Sequence, residues 1–248
     1  MITQHILPTA EEMGAAAADR AAQTIREAIA ERGSARIVLS TGASQFTTLD
    51  ALIAADVDWS KVEMFHLDEY IGLDAGHSAS FVRYLTERFV SKVPLGAVHF
   101  VDPSIGVDRA IDELTERIRR APIDLGLIGI GENAHLAFND PPADFETTDA
   151  YIVVELDRAC REQQVREGWF PTIDDVPTHA ISMTVHQILE CRHIISPVPY
   201  AAKADAIEAL FATASPTPNV PASALHAHSN VDLFLDEASA SKTLTSTS

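Results

Sequence analysis

Two short stretches hold side chains that could move protons. In Gly131-Glu132-Asn133-Ala134-His135 a histidine follows an apolar run, with Asn139-Asp140 a few residues on. An imidazole has an ordinary pKa near about 6.5 and can give or take a proton near neutrality, provided its neighbours orient the ring. A lone histidine is more often structural than catalytic. Here Asn133 and Asp140 are an amide and a carboxylate close enough in sequence to orient His135, which makes it the better candidate. The second stretch is Phe65-His66-Leu67-Asp68-Glu69-Tyr70. Successive residues of an extended segment point to opposite sides, so Asp68 and Glu69 cannot both face one pocket. Without a pocket they are a pair of carboxylates in water. A carboxylate of ordinary pKa, near about 3.9, is a weak base and needs desolvation to act as one.

Two further features suit an anion. Thr41-Gly42-Ala43-Ser44 joins an apolar strand to a helical pattern. Gly42 and Ala43 let backbone approach a ligand, and the unpaired N–H groups of the following helix attract negative charge. The stretch lacks the GxxxxGK[ST] spacing of a P-loop, and alone it is no more than a turn. Lys203 stands near the start of another helical pattern.

These groups need elements to position them. Thr9 caps a helix running to Arg32, Ile37-Val38-Leu39 is a short buried strand, and Phe46–Ala54 is helical in pattern. A second strand, Val62–Leu67, delivers Asp68 at its carboxyl end. Helices follow over Ser78–Val93, with Val82, Leu85 and Phe89 on one face, and over Val107–Arg119. The clearest strand, Ile123–Ile130, feeds the His135 loop. After it, residues 144–177 form a polar excursion, read as a helix and loop able to act as a lid. A helix at Val185–Leu189, a strand at His193–Val198, a helix at Ala201–Phe211 and a last strand at Val231–Leu235 complete the pattern. Apolar strands alternating with helices favour an open, mostly parallel α/β sheet with helices on both faces. One domain over residues 1–241 is the simplest account, with a polar, disordered tail over 242–248. In such a sheet ligands bind beyond the carboxyl ends of the strands, where Thr41–Ser44, Asp68 and Asn133–Asp140 all fall.

The 248 residues, 46% of them hydrophobic, are enough to fill a core. A formal net charge of −18 argues against nucleic acid or an anionic membrane as the partner. It does not exclude a small anion, because salt screens distant carboxylates over about 8–10 Å. Cys160 and Cys191 have no CxxC partner and read as reduced thiols of a cytoplasmic protein. No apolar run approaches the roughly 20 residues of a membrane span, and the N-terminus has no signal-peptide pattern.

Thr41-Gly42-Ala43-Ser44, Phe65–Leu73 and Gly129–Pro141 together resemble the glucosamine-6-phosphate deaminase family, in its order and spacing. The likeness extends more faintly through Ala180–Leu189, Lys203 and Pro221–Glu237. It implies a Rossmann-like fold and the conversion of glucosamine 6-phosphate to fructose 6-phosphate and ammonia. On that likeness His135 opens the sugar ring, Asp140 and Asn133 orient it, and Asp68 carries the C2 proton. Thr41, Gly42, Ala43, Ser44 and Lys203 hold the phosphate. The likeness implies no metal or organic cofactor, and the partner is a small sugar phosphate, with a homo-oligomer left open.

Three positions depart from the family pattern. Ala134 stands where glycine is common, so a different loop backbone is expected, because alanine does not readily take positive φ. Asp140 stands where Glu is usual. Gln164 stands where a phosphate-binding Arg is usual, and Arg161 is the nearby residue expected to replace it. These departures leave the exact sugar phosphate open. The related 6-phosphogluconolactonases share the fold and a histidine in this loop, but they have no C2 proton to move. A non-catalytic sugar-phosphate sensor would need a DNA-binding segment for which there is no spare length. Metal binding by His66, Asp68 and His135, or by His226 and His228, lacks any recognised ligand spacing.

Overall fold

Strand β2 (Ala35–Leu39) is buried at every position and lies between two parallel neighbours, β3 (Val62–His66) and β6 (Leu125–Leu127). Its alternate side chains enter different cores: Ile37 and Leu39 pack with Met13, Ile25 and Leu52, and Val38 with Leu114, Ile207 and Leu210. The continuous apolar strand in the sequence is thus the spine of a three-layer α/β/α fold. The computed structural model describes residues 2–243. Met1 and residues 244–248 of the expected tail lie outside the described residues. Lys242 and Thr243 form part of a final turn, with Lys242 paired to Asp205 and Glu208.

The main sheet has seven strands, joined in parallel throughout. From one edge they are β1 (Ile2–Leu7), β10 (Val231–Asp236), β9 (Ile194–Val198), β6, β2, β3 and β5 (Ala97–His99). The central strands match the sequence reading. The edge strands β1 and β5 escaped it. An edge strand buries only part of its surface, and β1 carries Thr3, Gln4 and His5 in a run with no continuous apolar signal.

One face of the sheet is covered by α1 (Ala10–Arg32) and α2 (Phe46–Ile53), whose buried residues share a core. Thr9 caps α1 by accepting from the Glu12 N–H, and Gly33 ends it in the left-handed region at φ 81°. Met13, Ala17, Ala21, Ile25 and Ala28 form its buried stripe. α1 and α2 approach so closely at Gly14 that a β-carbon there would overlap Thr47. The opposite face is covered by α4 (Val107–Ile118) and α7 (Ala204–Ala212). The expected helix over Ser78–Val93 is shorter: α3 (Phe81–Leu85), capped by Ser80, runs into a wider turn over Thr86–Val90.

A second sheet was not expected. The chain leaves β3 at Leu67 and enters β4 (Asp68–Tyr70), which pairs antiparallel with β8 (His179–Met183); β8 in turn pairs antiparallel with β7 (Tyr151–Glu155). The excursion over residues 144–177 is therefore more than helix and loop. Its first part is β7, and only its second part, with α5 (Arg158–Arg166), stands over the carboxyl ends of the main strands. β7 is an apolar run, Tyr151-Ile152-Val153-Val154, but it is short and flanked by polar residues, with Val153 exposed and Ile152 and Val154 only partly buried, so it is absorbed into a stretch read as irregular. After β8 comes the short helix α6 (Val185–Leu189), as expected.

Candidate active site

A cavity of about 250 Å³ opens at the carboxyl ends of β2, β3 and β6. Thr41–Ser44 line one wall, Asp68 another, and Gly129–Glu132 with His135 a third; Lys203 and Tyr200 close a fourth side. Gln163, Gln164, Glu167 and Trp169 come down from α5 and the turn after it. Segments as far apart in sequence as Thr41 and Lys203 therefore share one space.

The 41–44 turn is tied to its surroundings. Gly42 has φ 102°, a conformation other residues rarely adopt, and its carbonyl accepts from the Tyr84 hydroxyl at 2.9 Å. Ser40 Oγ accepts from the Gly129 N–H at 3.1 Å, joining this turn to the His135 loop. Gln45 Nε2 reaches the Pro197 carbonyl at 3.2 Å and spans to β9.

Asp68 lies where the chain passes between the two sheets and is 5% exposed. Burial, and then the neighbouring Glu69 charge, hold its carboxyl well above the ordinary aspartate value. Glu69 is turned the other way, as the extended backbone requires. It accepts from Ser80 Oγ at 2.9 Å and the Val82 N–H at 2.8 Å at the start of α3.

His135 is held by its own loop. Its N–H donates to Asn133 Oδ1 at 3.2 Å, its carbonyl accepts from Gly131 at 3.0 Å, and Asn133 Nδ2 donates to Asp140 Oδ1 at 3.0 Å. His135 Nδ1 lies 3.0 Å from Asp140 Oδ1, an ion-pair distance, without a well-formed hydrogen bond at this buried nitrogen. Burial raises the Asp140 pKa, but His135, Asn133 and the Asp157 N–H together outweigh it and keep the carboxyl below its ordinary value. The imidazole lies over Gly131, where any β-carbon would overlap the ring. Asn133 and Asp140 do not line the cavity; they contact the histidine and each other from outside it.

Ala134 corrects one expectation. The loop keeps a left-handed residue here at φ 66°, although the residue is alanine, and Ala137 is left-handed too at φ 51°. Each conformation costs an L-residue about 1 kcal/mol or more. The Ala222 N–H on the Ala134 carbonyl, at 2.8 Å, and burial of the Ala134 methyl hold the turn in place.

Lys203 is 7% exposed and faces the cavity. Burial lowers its pKa, and Glu167 and Glu132 partly offset that. Both glutamates have other partners: Arg166 donates to Glu132 at 2.7 Å, and Trp169 Nε1 and Gln163 Nε2 donate to Glu167 at 3.0 and 2.7 Å. Arg161 is a second correction. Its guanidinium donates to the Ile173 carbonyl at 2.7 Å and the Val176 carbonyl at 3.3 Å, and it does not line the cavity. Gln164 does line it, 6% exposed, with a buried Oε1 that has no partner. Sequence reasoning missed Glu132, Glu167, Trp169 and Tyr200 as lining residues, since nothing in their spacing marks them. His226 bonds the Leu210 carbonyl and His228 the Cys191 carbonyl.

The sequence profile described as glucosamine-6-phosphate isomerases/6-phosphogluconolactonase matches residues 8–234. The chain belongs to this family. Among relatives of the glucosamine-6-phosphate isomerase/6-phosphogluconolactonase family, a glucosamine-6-phosphate deaminase from Exiguobacterium sp. is 34% identical over 231 residues, which is 91% of this chain and 87% of that protein. The solved structure of a monomeric glucosamine-6-phosphate deaminase superposes with a TM-score of 0.87 at 28% identity, covering 97% of this chain and 99% of that one. A 6-phosphogluconolactonase from Trypanosoma brucei gives 0.78 at 15% identity over 97% and 98% of the two chains, a likeness of fold alone. Among the described residues no helix is long and apolar enough to cross a membrane.

Proposed function

We propose that this chain converts glucosamine 6-phosphate and water to fructose 6-phosphate and ammonia in the cytoplasm. The observation that carries the reading is that Asp68 and His135 line one cavity, the first as a desolvated carboxylate and the second as an imidazole backed by a carboxylate. The naming of the deaminase relatives supports it independently.

In this reading the phosphate rests on the turn at Thr41–Ser44 and on Lys203. Neutral amides and one cation suffice there because Glu132 and Glu167 are engaged by Arg166, Trp169 and Gln163. His135 takes the proton of the C1 hydroxyl and delivers one to the ring oxygen, opening the pyranose. Asp68 removes the C2 proton to give an enolamine and returns a proton to C1. The resulting ketimine adds water and loses ammonia. A base must be ionised yet strong, and burial with an adjacent negative charge is the environment that makes a carboxylate more basic. A lactone hydrolase has no C2 proton for such a base to move. The α5 excursion serves as a lid that keeps water from the enolamine.

The test is to supply glucosamine 6-phosphate and measure ammonia and ketose phosphate together. Equal release of both supports the reading. Ketose without ammonia, acid from the lactone, or saturable binding without turnover would each replace it with an isomerase, a hydrolase or a sensor. Light scattering at the assay concentration tells whether the active species is a single chain.

A further inference from the structure

Behind the imidazole, His135 Nδ1, an Asp140 oxygen and the Cys160 sulfur all lie within 4.8 Å of one another. Cys160 comes from α5, is 1% exposed, and has its thiol in hydrogen-bond reach of Asp140. The proposed reaction gives the thiol no part. The buried Nδ1, meanwhile, lacks a hydrogen-bond partner. One nitrogen, one oxygen and one sulfur donor converge there, and of the three the nitrogen is the one without a hydrogen bond. We propose that His135, Asp140 and Cys160 form an inhibitory binding site for a divalent cation of the zinc class.

The donor set fits that metal. Zinc accepts thiolate, imidazole and carboxylate together, with bonds of about 2.0–2.3 Å, and three protein ligands leave its fourth position open. Tetrahedral bonds of that length hold donors roughly 3.3–3.8 Å apart, so no pair in the cluster needs to move by more than about 1.5 Å, and the 3.0 Å pair of His135 Nδ1 and Asp140 Oδ1 opens slightly. Magnesium and calcium, which want oxygen donors, fit poorly. Of the three donors Asp140 alone also lines a second cavity of about 290 Å³, together with the acidic Asp144, Glu155 and Asp157, which favour a cation nearby. On binding, the metal replaces the thiol proton and any proton on Nδ1, and both leave to solvent.

Inhibition follows from the tautomer, and this part rests on the catalytic role proposed for His135. Coordination at Nδ1 fixes the remaining proton on Nε2 and removes Asp140 as the orienting group. A ring held that way can no longer take a proton from the sugar.

The experiment separates the site from the reaction. Calorimetric titration of the full chain with zinc chloride should give one zinc per chain, and Cys160→Ser should weaken binding by at least about tenfold. Cys191→Ser should leave it unchanged. Cadmium added to the wild-type chain should raise a thiolate charge-transfer band that survives Cys191→Ser and is lost in Cys160→Ser, a readout that does not depend on turnover. No zinc binding by the wild-type chain, equal binding by Cys160→Ser, or a band that follows Cys191 would overturn the site. Zinc bound at unit stoichiometry with deamination unchanged would overturn its inhibitory role. Should no deamination occur even without zinc, the functional reading fails while calorimetry and cadmium absorption still decide the site.

Discussion

Asp68 and Glu69 are neighbours in β4, yet only Asp68 faces the cavity; Glu69 points back to the start of α3, where Ser80 and Val82 donate to it. The pleat of an extended segment divides two like residues between chemistry and structure. Asp68→Asn should abolish turnover while inorganic phosphate still binds. Glu69→Gln should instead reduce stability by about 1–3 kcal/mol, because a buried carboxylate accepting several hydrogen bonds is replaced by a group that accepts fewer. Steady-state rates, phosphate titration and urea unfolding separate the two outcomes. Normal activity in Asp68→Asn would remove the proposed base.

The raised pKa of Asp68 has a sign that can be measured. The folded protein holds this proton at pH values where the unfolded chain has released it, so the folded state binds more protons above the ordinary value of 3.8. Stability then falls as pH rises from the unfolded value through the raised folded one. Asp68→Asn lacks this penalty. Its melting temperature should exceed that of the wild type at neutral pH and converge with it below the ordinary aspartate value. The acid limb of the pH–rate profile should likewise lie above that of an ordinary carboxylate. A variant less stable than wild type at pH 7 would show that the Asp68 environment favours the ionised form.

Two substitutions test the placement of the imidazole while leaving His135 itself unchanged. Gly131→Ala puts a methyl into the ring position and must displace either ring or loop. A shift of about 1 Å at a reacting group costs roughly 10²-fold in rate. Asp140→Asn keeps the shape but removes the charge that faces Nδ1 at 3.0 Å, and should lower kcat by about 10²-fold or more with little change in KM. Circular dichroism melts control for misfolding. A KM effect with kcat intact in both variants would place the imidazole in binding rather than proton transfer.

Much of this site is legible in the sequence because it sits where strands end. Ile37–Leu39 and Ile123–Ile130 are apolar runs with polar turns after them, and in a parallel sheet those turns must converge. What the sequence hides depends on pairing at a distance. β7 and β8 acquire their meaning only from Asp68–Tyr70 between the sheets, and β1 only from β10. Ala134 misleads for another reason: propensity says alanine avoids positive φ, but hydrogen bonding and packing around the loop outweigh a strain of about 1 kcal/mol. Arg161 misleads because a charge near a pocket in sequence can satisfy carbonyls instead.

Lys203 and Arg161 therefore make a contrasting pair. Both are basic, and on sequence both are candidates for the phosphate. Lys203 faces the cavity, and losing a charged hydrogen bond to phosphate costs about 1.5–3 kcal/mol, so Lys203→Met should raise KM by roughly 10- to 150-fold. The phosphate competition constant should rise in step. Arg161 instead ties α5 to the carbonyls of Ile173 and Val176. Arg161→Ala should leave KM within about twofold and lower stability by about 1–3 kcal/mol, since those acceptors lose their partner. Measuring KM and the unfolding midpoint on both variants decides the assignment. A large KM change in Arg161→Ala with no loss of stability would return Arg161 to the phosphate site.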